Sequence, residues 1–398
     1  MAGRLIPKDH EHENEFLRLC LRPRADQTHL AKTRELMAGK LDWEYLYQLS
    51  ARHSLVPLVY HQLKQIGSDL VPARFWQRFK SGYQANVARS LVLTNELLSL
   101  TRELQMNHID SLPFKGPVLG SIAYGNPALR CFLDLDIIVR LQDVAATREI
   151  LRARGYQLAS NIDVRQEQLL LNAHHNLQFE RDEGRLIVEL HWRISGNFYA
   201  HALGPEALWA RLEPVTLQGA QFNSLPIEDL LLALCIHGSR HFWEKLCWIC
   251  DLAALITSGR SIDWTRLVSL ARETDTEGIL LLGLCLASDL AGDGLPEEIR
   301  QLIAREERIK RLAGRLSQRL FSGTEHIRLT PHQTFKYSLA MRKSWSARLR
   351  YCLFALSPAD KDLETLALPR YLNFAYYGLR PFRVMMAGRQ NKSQARPT

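Results

Sequence analysis

At 398 residues the chain is long for one domain, and two or three are expected. Hydrophobic residues make up 46% and charged residues 23%, the balance of a globular protein with real cores. The formal charge of +9 is compatible with nucleotides, nucleic acid or an anionic membrane surface and does not choose among them. Seven dispersed cysteines argue against a disulfide scaffold, and no apolar run approaches the ~20 residues needed to cross a bilayer. The N-terminus is charged and lacks an apolar stretch, so no targeting segment and a cytoplasmic location are expected.

Residues 1–108 read as an N-terminal helical region. Trp43, Leu46, Leu49, Ala51 and His53 recur at helical spacing, and Val56–Leu63 resumes the pattern with Pro57 suited to a first turn. Gln84–Asn107 is a longer amphipathic pattern. His53 and His61 have no carboxylate or cysteine at ligand spacing and read as structural.

Residues 109–222 change character. Ser111–Phe114 predicts a short strand running into Lys115-Gly116, with Pro117 in the first turn of a helix to Tyr124. Gly125-Asn126-Pro127 is a turn. Leu133-Asp134-Leu135-Asp136-Ile137-Ile138-Val139 predicts a strand, and Val144–Gly155 a helix closed by Gly155. His175–Glu180 and Leu186–Trp192 predict two strands around a turn at Arg181–Arg185. The order strand, helix, strand, helix, hairpin predicts a small mixed sheet.

Residues 223–388 return to helix. Pro226 and an acidic first turn open a helix through His237, followed by Phe242–Leu252, Asp263–Glu273, Glu277–Ala291 and Pro296 to about Leu320. Cys247-Trp248-Ile249-Cys250 has the CxxC spacing, but in an apolar helical pattern without a second pair it reads as core cysteines. The polar residues 389–398 predict a disordered tail. The fold class is α+β, a small mixed-sheet core flanked by N-terminal and C-terminal helical regions.

The acidic strand demands a chemical explanation. Residues i and i+2 of a strand share a face, so Asp134 and Asp136 are expected side by side, with Leu133, Leu135 and Ile137 in the core. Two like charges sit together most easily around a cation, and hard oxygen ligands suit Mg²⁺. In Ile187–Trp192, alternation puts Glu189 and His191 opposite Val188 and Leu190. A carboxylate in an apolar strand is costly unless it is paired or holds metal; an edge strand with its polar face in water is the other reading. Lys115-Gly116, at a strand-to-helix turn, offers phosphate free N–H groups, close approach and a point charge. Arg130 is placed to reach a phosphate or to form a structural ion pair. His237, Arg240, His241 and Lys245 share a face on or near one helix, either lining a cleft or forming a basic solvent edge. Asp251, beside Trp248, is placed to cap or pair with such a group. No HExxH glutamate lies between His237 and His241, which argues against a zinc protease.

Phe114-Lys115-Gly116, Tyr124, Arg130, Asp134-Leu135-Asp136 and Glu189-Leu190-His191-Trp192 together resemble the polymerase-β-like nucleotidyltransferase superfamily. More narrowly, the chain resembles an uncharacterised bacterial nucleotidyltransferase family found beside polysaccharide and peptide-natural-product clusters. Ile236-His237-Gly238, Trp243, Leu246–Asp251, and Ser357-Pro358 with Leu368-Pro369 belong to the same resemblance, which covers about Trp43 to Arg383. It implies a mixed-sheet nucleotidyltransferase core with a helix-rich partner domain. It implies that Asp134, Asp136 and Glu189 are the catalytic, metal-binding carboxylates. Lys115, Gly116, Arg130, His191, His237, Arg240 and His241 are the candidate nucleotide- and phosphate-binding residues. The cofactors implied are two Mg²⁺ ions, and the substrate a nucleoside triphosphate whose α-phosphate is attacked by a hydroxyl of a small molecule, sugar, peptide or protein. The chain departs from the superfamily in three ways: Lys115-Gly116-Pro117 replaces Gly-Gly or Gly-Ser, the gap to Asp134 is longer, and the third acid is Glu189.

Two other readings stand beside this one. The first is a nucleotide- or partner-binding protein with the same fold and little or no turnover. The second is a toxin-like tRNA nucleotidyltransferase, which the positive charge favours. A nucleic-acid partner is possible but not favoured, because no basic run is interleaved with stacking aromatics. Arg342–Tyr351 comes closest, and as a basic amphipathic helix it suits a membrane surface or, by default, a solvated face.

Overall fold

The computed structural model describes residues 10–21, 27–160, 171, 175–194, 205–291, 294–321, 330–356 and 377–378. Ser357-Pro358, Leu368-Pro369 and the tail 389–398 lie outside the described residues. The helices are α1 (Glu11–Cys20), α2 (Gln27–Ala38), α3 (Trp43–Arg52), α4 (Val56–Ile66), α5 (Ala73–Met106), α6 (Gly116–Tyr124), α7 (Val144–Ala153) and α8 (Pro205–Trp209). They continue with α9 (Ile227–Arg240), α10 (Leu246–Ile256), α11 (Trp264–Glu273), α12 (Glu277–Ala291), α13 (Glu297–Arg305), α14 (Glu307–Leu320), α15 (Pro331–Ala340) and α16 (Trp345–Leu356). The strands are β1 (Ser111–Pro113), β2 (Leu135–Val139), β3 (Gln157–Leu158), β4 (Asn176–Arg181), β5 (Leu186–His191), β6 (Glu213–Leu217) and β7 (Ala220–Ser224).

The architecture is α+β: a mixed five-stranded sheet in the order β1-β2-β5-β4-β3, a β6–β7 hairpin, and helices on both sides in sequence. By compactness the chain forms two units, one of residues 1–136, 211–268 and 279–326 and one of residues 137–210, 269–278 and 327–398.

In the first unit the longest element is α5, which runs from Ala73 rather than Gln84. Its early turns carry an aromatic face instead of an aliphatic one. Phe79 meets Tyr47 edge-on at 5.1 Å, and Trp76 and Tyr83 each lie 5.0 Å from Tyr60. The Nδ2 of Asn86 on α5 donates to Ala128 O at 2.8 Å and to Arg130 O at 3.1 Å, which fixes the turn that follows α6. That turn passes very close to α6. A Cβ on Gly120 would stand 2.8 Å from the Cα of Pro127, where only backbone could give way. Gly120→Ala is therefore expected to cost about 1–3 kcal/mol in urea unfolding; a loss within error would show that the turn is free to move.

His53 is structural. Leu246 N donates to its Nδ1 at 3.3 Å, so its Nε2 carries the proton and donates to Leu320 O at 2.9 Å. One neutral imidazole thus serves the start of α10 and the end of α14. The expected helix from Phe242 does not form. Phe242 and Trp243 adopt φ of +52° and +53°, and α10 begins only at Leu246. Trp243 turns inward onto Gly238 and Gly283, where a Cβ would meet its ring at 2.4 Å and 3.2 Å. The expected single helix from Pro296 to Leu320 is two, broken at Glu306. The buried stripe Ile299, Ile303 does not continue onto Ile309, Ala313, Leu316 and Leu320, because a step of six residues leaves the face. The β6–β7 hairpin, joined through Gln218 and Gly219 with φ of +49° and +80°, has no counterpart in the sequence reading. Its strands are short and half-exposed, and each carries only one alternating apolar pair, Val215 with Leu217 and Ala220 with Phe222.

In the second unit β4 and β5 pair antiparallel, with Asn176 opposite His191 and Gln178 opposite Glu189. The turn uses Asp182, Glu183 and Gly184, all at positive φ. Arg181 closes this end, with its guanidinium over the Tyr156 ring and a bond from Nη1 to Arg154 O at 3.1 Å. Val144, Thr147 and Leu151 form the buried stripe of α7.

The acidic strand differs from the expectation in one respect. It starts at Leu135, so Asp134 stands in the bend before it. Leu133 is 55% exposed and does not enter the core. Gly116, with φ of +53°, lies close beneath this bend, so that a Cβ there would stand 3.5 Å from Asp134 O. Every residue of β2 itself is buried, as a strand with neighbours on both sides requires.

Candidate metal and nucleotide site

The site is built on β2 and β5, neighbours in the sheet, and on the turn from β1 into α6. Strand alternation directs Val188 and Leu190 of β5 inward to full burial and turns Glu189 and His191 to the other face. His191 Nε2 lies 3.2 Å from Glu189 Oε2, and Asn176 Nδ2 of β4 donates to the same oxygen at 3.1 Å. Asp136 on β2 is buried. Asp136, Glu189 and His191 each offer one ligand atom within 4.8 Å of the others.

That donor set suits a divalent cation. Two carboxylates supply hard, charged oxygens and the imidazole a borderline nitrogen, a combination that serves Mg²⁺ and Mn²⁺ chemistry. Asp134, expected in the same cluster, is half-buried in the preceding bend and is not one of this trio. His191, expected to contact nucleotide or phosphate, lies beside Asp136 and Glu189, where its imidazole could also hold a cation. The signal for it was the Glu189-Leu190-His191 alternation. Asn176, which orients Glu189, carried no signal of its own, because its place depends on the β4–β5 register.

Lys115 sits at the N-cap of α6 with its Nζ 2.7 Å from Asp136 Oδ1, and both side chains are buried. It also lies 4.9 Å from the centre of the Phe114 ring. Gly116, next in sequence, opens α6 in the left-handed region that glycine favours. His237 at the end of α9 belongs to the same electrostatic neighbourhood. Burial holds its pKa well below the ordinary imidazole value, Lys115, His241 and Arg240 push the same way, and Asp136 opposes them. These influences together favour its neutral form. His237, His241 and Trp248 form a ring cluster with centroids 4.7 to 5.3 Å apart. Arg240 and His241 are exposed.

Arg130 takes the structural alternative. Its Nε donates to Asp251 Oδ2 at 3.0 Å, and the Tyr124 hydroxyl donates to Asp251 Oδ1 at 2.9 Å. Burial works against the Arg130 charge, yet Asp251 beside it raises its pKa; burial pushes the Tyr124 hydroxyl well above its usual range, with Asp251 adding to it. The CxxC thiols are inert. Burial, with Asp251 adding to it, pushes Cys247 up to about 12, and burial holds Cys250 well above the ordinary thiol value.

No helix among the described residues is long and apolar enough to cross a membrane. No curated protein matches the chain. Residues 39–292, well over half of the chain and including every residue placed above, match the uncharacterised nucleotidyltransferase family, and the chain belongs to that family of transferases.

Proposed function

We propose that the protein is a Mg²⁺-dependent nucleotidyltransferase that moves a nucleoside monophosphate from a nucleoside triphosphate to a hydroxyl of a small-molecule, sugar, peptide or protein acceptor. The observation that carries this reading is the convergence of Asp136, Glu189 and His191 in a chain of the nucleotidyltransferase family. These three residues would hold the metal, with Asp134 adding a carboxylate from the adjoining bend. When bound, the metal polarises phosphate oxygens and lowers the pKa of a hydroxyl.

The chain's own groups account for the rest. The α6 N-terminus, with the Gly116 N–H and the Lys115 ammonium, binds phosphate. Asn176 holds one Glu189 oxygen, which leaves the carboxylate oriented to accept the acceptor's proton. His237, being neutral, adds hydrogen bonding without charge, and Arg240 and His241 supply exposed contacts to phosphate or base. Arg130 positions the loop into β2 through Asp251.

The test is incubation with each labelled nucleoside triphosphate, Mg²⁺ and cell extract. A labelled acceptor and released pyrophosphate are expected, both lost on chelation. Glu189→Gln is expected to slow the transfer about a hundredfold. Failure to bind or transfer any of the nucleotides would overturn the reading. A second reading, nucleotide binding without turnover, draws on the Lys115–Asp136 bond, which sets an ammonium on the first carboxylate. It predicts Mg²⁺-dependent binding with no pyrophosphate. Label on tRNA, with steep salt dependence, would identify the toxin-like alternative.

A further inference from the structure

A cavity of about 380 Å³ lies within the first unit, and its described walls include none of the candidate metal or phosphate residues. It is bounded by one face of α4 and by the closing turns of three other helices. Leu21 caps α1, Gly125 caps α6 and Thr257 caps α10, and all three line it. Lys115 and Gly116 stand at the opposite end of α6, about 12 Å away along its axis.

The lining is rich in acceptors and poor in cations. A helix C-terminus carries roughly half a negative charge and carbonyls without intrahelical donors. At the end of α6, residue 127 is proline, so Ala123 O in the cavity wall has no N–H four residues on. At the end of α10, the hydroxyls of Thr257 and Ser258 donate to Ala253 O and Leu255 O, each at 2.8 Å. Their own oxygens then have only lone pairs to offer. On α4, Gln65 Nε2 donates to His61 Nε2 at 3.0 Å. Burial lowers the His61 pKa, with Lys64 adding to it from outside the lining, and both favour the neutral ring. No Asp, Glu, Lys or Arg lines the cavity among the described residues. Gln62 of α4 is 8% exposed and lines the cavity, yet its amide makes no hydrogen bond among the described residues. A buried amide without a partner is costly and rare, and a bound ligand supplies what it lacks.

We propose that this cavity is a binding site for a small organic ammonium ion. The ammonium donates to Gln62 Oε1 and to the open carbonyl and hydroxyl oxygens at the helix ends, where the helix dipoles favour a positive charge. The apolar body of the ligand packs on Leu58, Ile122 and Leu129. The volume lies in the range of small-molecule sites. A nucleotide does not suit it, because the described walls offer phosphate no cation and three helices end there rather than begin. The two ends of α6 thus take ligands of opposite charge.

Saturation-transfer NMR and calorimetry on the full chain test this, with phenethylamine, cyclohexylamine and tryptamine as probes. The alcohol 2-phenylethanol and the acid phenylacetate serve as neutral and anionic counterparts of phenethylamine. Phenethylamine is expected to bind, 2-phenylethanol about tenfold more weakly and phenylacetate not at all. Gln62→Leu is expected to weaken amine binding about tenfold while leaving the melting temperature unchanged or higher, because it replaces an unpartnered amide by an apolar side chain of similar size. Ser121→Lys brings a resident ammonium to the cavity wall and is expected to abolish amine binding. Absence of binding by all three amines overturns the proposal, as does equal binding of phenethylamine and its alcohol or acid counterpart. Amine binding unchanged in both variants overturns it too, and a melting temperature lowered by Gln62→Leu would show that the amide already has a partner. None of these readouts requires nucleotide transfer, so failure here leaves the proposed activity untouched.

Discussion

Asp136→Asn is expected to lower nucleotidyl transfer by about a thousandfold or more, a barrier increase of about 4 kcal/mol. Two effects act together. The substitution keeps the shape of the side chain but removes the charge that makes Asp136 a metal ligand beside Glu189 and His191. It also removes the partner of Lys115, whose side chain is only 10% exposed. An ammonium without its carboxylate then stands in the middle of the group of residues meant to receive a cation. Pyrophosphate release measures the first effect, and Mn²⁺ binding by electron paramagnetic resonance separates ligand loss from misfolding. A variant that transfers label as well as wild type would remove Asp136 from the mechanism. Lys115→Ala distinguishes the roles further. It is expected to weaken nucleotide binding while leaving the metal ligands in place.

Asp251→Ala is expected to cost stability rather than chemistry, about 3–5 kcal/mol. Asp251 is 1% exposed and is bonded by both Arg130 and Tyr124. Removing it leaves a buried guanidinium with no counter-charge and a buried hydroxyl with no acceptor. The turn after α6 is already pinned by Asn86 and pressed against Gly120, which limits how far these groups can rearrange. Asp251→Asn keeps an acceptor for the Tyr124 hydroxyl and is expected to lose less. Urea unfolding of the two variants measures the difference, and a loss below about 1 kcal/mol for the alanine variant would mean that Arg130 has another partner waiting.

The sequence was most informative where local pattern and burial agree. The Val188–Leu190 alternation identified β5, and with it the shared face of Glu189 and His191. The run Leu135–Val139 identified β2, because a fully buried strand is continuously apolar, here apart from Asp136. What was not legible depends on contacts distant in sequence. The start of β2 lies at a bend that holds Asp134 beside the left-handed Gly116, a contact no local pattern announces. The partner of Arg130 lies on another helix, and no spacing rule connects the two. The turn at Phe242-Trp243 interrupts an excellent helical pattern because Gly238 and Gly283 leave room for one indole. The β6–β7 hairpin shows its period of two in only one apolar pair per strand, Val215 with Leu217 and Ala220 with Phe222, around Gln218-Gly219.

The bond between Lys115 and Asp136 gives one of the site's carboxylates an internal counter-charge. Under the proposed activity this creates a thermodynamic linkage between two ligands. A divalent ion arriving alone would displace the ammonium and leave it buried without a counter-charge, which is costly. An ion arriving with a triphosphate brings the ammonium a replacement anion at the adjoining helix start. Each ligand therefore raises the affinity for the other by the same factor, as reciprocity of binding free energies requires. Under that activity the lysine would hold Asp136 back from free metal and release it when the nucleotide supplies charge of its own.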